Sequence, residues 1–172
     1  MKRLILPLLL LIGFYLEGIF VELVRNGSFG LNVILVPRFL TVLFAVMGIY
    51  YVRNYSLIYA AVFGLLFDVY YTEIIGIYLF LFPIIVYIAS KITKLLQANI
   101  LTTFFVVLLS VALVEFVVYG FNVFVLQKEM ELEEFAKSRL WSTLGLNQLF
   151  LLLIYYPFKK LLFYRKKDEL HE

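Results

Sequence analysis

Residues 60–90 read AAVFGLLFDVYYTEIIGIYLFLFPIIVYIAS, two apolar helices joined by a polar turn at Thr72 to Ile75. A single carboxylate, Asp68, sits near the end of the first helix. Helical spacing sets Ala60, Gly64 and Asp68 on one face, each one turn from the next. Small residues on such a face let a second helix come close, as membrane helices do. An acid there is shielded from lipid and, being costly to bury, needs a partner. The remainder of the chain is therefore read for what it sets against Asp68.

Outward from this stretch, composition decides the class. The chain has 172 residues, 64% hydrophobic and 16% charged, whereas soluble domains are about 45–50% apolar. A helical crossing takes about 20 mostly apolar residues, so the length holds five or six crossings and little else. The expectation is an all-α polytopic membrane protein in which residues 1–172 form one integral membrane domain. There are no cysteines and the one histidine is His171. Disulfides, thiolate sites and most histidine-dependent acid–base or metal chemistry are thereby excluded. No cofactor and no nucleic-acid partner is expected. The apolar run after Met1-Lys2-Arg3 continues to Val24 without an A-x-A-like cleavage site, which reads as a retained span.

Six transmembrane spans are expected, at about 4–24, 36–52, 57–71, 76–90, 100–126 and 139–163. Pro37 would stand in the first turn of the second span, where proline is tolerated. Pro83 is expected to kink the fourth. Arg53 to Ser56 reads as a polar stop, and Gln127 to Ser138 as a charged connection. Spans two to four come out at roughly 22–26 Å, short of the ~30 Å hydrocarbon layer. Their ends must extend, or the bilayer must thin. With the N terminus inside, ten lysines and arginines fall on the inner side and five on the outer. Both termini are therefore expected in the cytoplasm. The basic inner ends fit anionic membrane lipid.

Three carboxylates fall within spans: Glu17, Asp68 and Glu115. All lie on helices running outward, in the middle-to-outer zone. Arg38, entering from the outer side, is the intramembrane base able to reach them, and a guanidinium suits a buried carboxylate. Glu17, Arg38, Asp68 and Glu115 are the candidate buried polar network or partner-binding set. Ala60, Gly64 and Gly76 are the candidate packing positions. For Asp68 the expected contact is a basic or polar group on a neighbouring span, Arg38 first. Structural pairing, a partner or ligand site, and proton or ion handling remain open readings of this set. No catalytic triad, metal or phosphate-loop pattern is present.

Gly64-Leu65-Leu66-Phe67-Asp68, followed by Gly76-Ile77-Tyr78, resembles the bacterial rod shape-determining protein MreD family. Val36-Pro37-Arg38, the size and the basic inner ends resemble it too. The resemblance implies a non-enzymatic component of the cell-elongation machinery in the bacterial cytoplasmic membrane. The partners it implies are MreC, MreB, RodA and a class B penicillin-binding protein. The family is similar in fold to the substrate-binding S components of energy-coupling factor transporters. That similarity implies the alternative of a vitamin-binding membrane subunit.

Overall fold

Backbone groups in hydrocarbon have no water to bond, so apolar runs of this length satisfy themselves as helices. The computed structural model describes residues 4–25, 34–72, 74–125, 127 and 131–170. Expectations resting on Lys2, Arg3, Lys128 and His171 lie outside these. Among the described residues every regular element is helical. The elements are α1 (Ile5–Arg25), α2 (Phe39–Tyr50), α3 (Arg53–Phe67) with a π-helical turn at Asp68–Thr72, α4 (Ile77–Leu95) and α5 (Ile100–Phe124). A short α6 (Leu132–Phe135) passes through a second π turn, Ala136–Leu140, into α7 (Trp141–Leu170).

Among the described residues four stretches are long and apolar enough to cross a membrane: Ile5–Val24, Arg53–Thr72, Ile77–Leu95 and Ile100–Phe124. α2 is a shorter apolar helix, and α7 runs for 30 residues into a charged end. α2 forms the centre. It touches α1, α3, α4, α5 and α7, and all its residues but Ile49 are buried. Phe44 of α2 meets Phe82 of α4 with ring centroids 5.1 Å apart, and Phe67 of α3 meets Tyr78 at 4.4 Å. α1 is peripheral and packs on α2 and α3.

Several boundaries differ from the sequence expectation. Residues 34–38 are not helical, so Pro37 precedes α2 instead of standing in its first turn. Their backbone is bonded elsewhere, as described below. Arg53 to Ser56 opens α3, the Ser56 hydroxyl bonding the Val52 carbonyl at 3.0 Å. The end of the expected charged connection is helical from Leu132 onward. For the third and fourth spans the shortfall in length also resolves, while α2 has only 12 residues. Arg53–Thr72 and Ile77–Leu95 have 20 and 19 residues, or about 30 and 28 Å at ~1.5 Å per residue.

Candidate functional site

Asp68 follows the last residue of α3, where the π turn widens the helix and carries the carboxylate across the start of α4. It is fully buried. Its Oδ2 accepts from the Gly76 N–H at 2.8 Å and the Leu79 N–H at 3.0 Å, and its Oδ1 from the Tyr78 N–H at 2.8 Å. The first N–H groups of any helix lack partners within it, and they attract negative charge. Asp68 thus caps α4 from the neighbouring helix. No bond joins it to Arg38, the partner expected first; the carboxylate's acceptor sites are taken by these backbone N–H groups and by the Thr72 hydroxyl, 3.4 Å from Oδ1.

Gly64 and Gly76 make this cap possible. A Cβ on Gly64 would collide with the Tyr78 carbonyl oxygen, come within 2.7 Å of its carbon and within 2.9 Å of Leu79 Cα. Only a glycine lets the two backbones cross there. Ala60, one turn earlier, is fully buried. Gly76 has φ +121° at the start of α4, a conformation other residues rarely adopt. Its role is to turn the chain into α4, not to pack a helix face.

Glu17 repeats the device. Its Oε2 accepts from the Leu40 N–H at 3.1 Å, so a carboxylate from α1 serves the first turn of α2. The third acid, Glu115 of α5, is held by two arginines. Arg38 Nε donates to Oε1 and Arg139 Nε to Oε2, each at 2.7 Å. Arg38 Nη1 also donates to the Tyr78 hydroxyl at 2.5 Å. Glu115 is 0% exposed, Glu17 4% and Arg38 5%. Removing one partner of such a pair leaves an uncompensated buried charge.

α7 positions Arg38. The Val36 N–H donates to Thr143 Oγ1 at 3.3 Å and the Arg38 N–H to Asn147 Oδ1 at 2.7 Å. Asn147 Nδ2 returns a bond to the Val36 carbonyl at 3.0 Å. The Ile34 N–H bonds the Ser138 carbonyl, and the Ser142 hydroxyl bonds the Ile34 carbonyl, both at 2.8 Å. Side chains and one carbonyl of the last helical segment thus act as a strand partner for residues 34–38. Of the four candidate residues, the structure joins Arg38 directly to Glu115. Glu17 lines the same cleft as Arg38 and Tyr78, a space of about 220 Å³ between α1, residues 36–38 and the start of α4. Asp68 is one residue removed, bound to the Tyr78 backbone.

Arg139, Tyr78, Thr143 and Asn147 were not among the sequence candidates. Thr143 and Asn147 did leave a signal: two polar residues one turn apart inside an apolar helix, hence on one face. Chemically, each buried acid accepts a structural bond. Among the described residues no group of three or more histidine, aspartate or glutamate side chains could hold a metal ion.

With this geometry in hand, comparison with known proteins adds one decisive match. The family of rod shape-determining protein MreD matches residues 2–165. The chain belongs to the MreD family. A rod shape-determining protein MreD of Bacillus subtilis (strain 168) is 33% identical over 172 residues, covering 100% of this chain and 99% of its own. No solved structure matches. MreD membership makes this a rod-shape-determining membrane protein. The stretch that carried the resemblance, Gly64 to Tyr78, is where the α3–α4 crossing and the Asp68 cap are built.

Proposed function

We propose that this chain is a non-enzymatic component of the cell-elongation machinery in the bacterial cytoplasmic membrane. It crosses the membrane six times with both termini in the cytoplasm, binds MreC, and links MreB to the peptidoglycan synthase formed by RodA and a class B penicillin-binding protein. One observation carries this reading beyond family membership. Glu17 and Asp68 cap helices, and Glu115 pairs with two arginines. Side chains that would otherwise suggest catalysis or proton transfer are thus committed to holding the bundle together, which suits a protein acting through its surfaces. The division of basic residues, ten inner to five outer, supports the orientation. The cleft beside Glu17 and Arg38, at about 220 Å³, is by itself smaller than the ~300–1,000 Å³ of small-molecule sites, so the vitamin-binding alternative would have to use another space.

The test is depletion in a rod-shaped host, with recovery of the tagged full chain from native membranes in mild detergent. Cells should swell and round, and MreC should be recovered with the protein. Rods that persist but require a vitamin, or recovery without MreC, would overturn the proposal.

A further inference from the structure

α1 and α7 each pack on α2, but an apolar groove of about 310 Å³ remains between them. Leu43 of α2 is its floor, and its walls include Ile12 and Gly13 of α1 with Phe150, Pro157 and Leu161 of α7. Gly13 lets α1 sit directly on the floor, a Cβ there lying only 2.8 Å from Leu43 Cδ1, and Pro157 adds only a compact ring to the opposite wall. This groove shares no lining residue with the cleft at Glu17 and Arg38.

Its dimensions select the occupant. From Phe150 to Leu161 α7 rises roughly 16 Å, close to one leaflet, half of the ~30 Å hydrocarbon layer. A partner helix crossing the membrane would need contact along about twice that length. Spread over this distance, the space is also narrower than the ~10–12 Å cylinder of a helix with its side chains. Beside the end of the groove and past it, α7 carries Lys159, Lys160, Arg165, Lys166 and Lys167. Lys160 and Lys167 are exposed. Lys159 is turned inward, donating to the Tyr155 hydroxyl at 3.0 Å and lying 4.7 Å from the Tyr50 ring centre. Basic residues beside a membrane surface attract anionic lipid.

We infer that the α1–α7 groove holds one acyl chain of an anionic phospholipid, its phosphate lying against the exposed basic side chains at the end of α7. The orientation proposed above places this lipid in the cytoplasmic leaflet; the site itself does not depend on that orientation. The lipid completes the contact that α1 lacks and fastens it to the bundle.

The full-length protein in mild detergent is titrated with phosphatidylglycerol or phosphatidylcholine, and bound lipid is counted by native mass spectrometry. One phosphatidylglycerol should be retained, at least tenfold more tightly than phosphatidylcholine. Ile12→Trp and Leu161→Trp fill the groove from opposite walls, the first at a half-exposed position that leaves the core intact. Either should lower retention at least tenfold, while Lys160→Glu with Lys167→Glu should erase the headgroup preference and keep the chain. Equal retention of both lipids, or unchanged retention in a folded groove-filling variant, overturns the inference. So does crosslinking of an Ile12→Cys groove to a membrane protein in cells instead of to lipid.

Discussion

Replacing Asp68 should separate a helix cap from an ion pair by the ratio of two losses. Asp68→Leu strips acceptors from three N–H groups, the buried one of Tyr78 and the partly buried ones of Gly76 and Leu79. At about 1–3 kcal/mol for each buried donor left unpaired, the loss is about 3–9 kcal/mol. On the membrane scale of about 0.6 kcal/mol per bond the same sum is about 2 kcal/mol. Asp68→Asn can keep its oxygen toward Gly76 and Leu79, with its amide nitrogen facing the Tyr78 N–H, so one donor of the three is orphaned. Asparagine should therefore cost about a third of what leucine costs, on either scale. The assay is unfolding of the full chain in mixed micelles by increasing sodium dodecyl sulfate, followed by circular dichroism. Asparagine as damaging as leucine would refute the cap. So would a coupling of about 3–5 kcal/mol between Asp68→Leu and Arg38→Leu, the size of a broken buried ion pair.

The same assay checks two further sites. Gly64→Ala forces apart backbones that allow no Cβ and should cost about 1–3 kcal/mol, as overpacking does. A neutral result would mean that α3 and α4 do not cross there. Glu115→Leu leaves Arg38 and Arg139 facing each other without their carboxylate and should cost about 3–5 kcal/mol. Adding Arg139→Leu should restore part of it; simple additivity would count against the pairing. The proposed topology places Leu132 outside, so Leu132→Cys, unique in a chain without cysteine, should react with an impermeant maleimide on intact cells. Labelling from the cytoplasmic side alone would overturn the six-span arrangement.

Much of the fold was legible because lipid imposes length and polarity together: each long apolar run is a helix, and its small-residue face is a crossing. The Ala60, Gly64, Asp68 face is an example. What Asp68 bonds to was not legible, because its partners are backbone N–H groups, which every non-proline residue carries and no residue type announces. The sequence directs attention to Arg38, the visible charge, while the helix start at Gly76 supplies the donors. The non-helical run at residues 34–38 was hidden for a related reason. Val36 and Pro37 continue the apolar character of α2, and periodicity cannot distinguish buried extended chain from buried helix. Its bonds come from Ser142, Thr143 and Asn147, far along the chain.

That extended run has a consequence for how the protein is made. α2 alone, at 12 residues, reaches about 18 Å, and the five extended residues before it add about 16 Å. In the six-span arrangement proposed above the two would together span the bilayer, where open backbone is tolerated only when protein shields it. The groups that do so follow 104 to 111 residues later. In that arrangement the second crossing would be provisional during synthesis. It would reach its final depth only when the ribosome has delivered the last helix, so a chain ending before Thr143 is expected to stall with its centre half inserted.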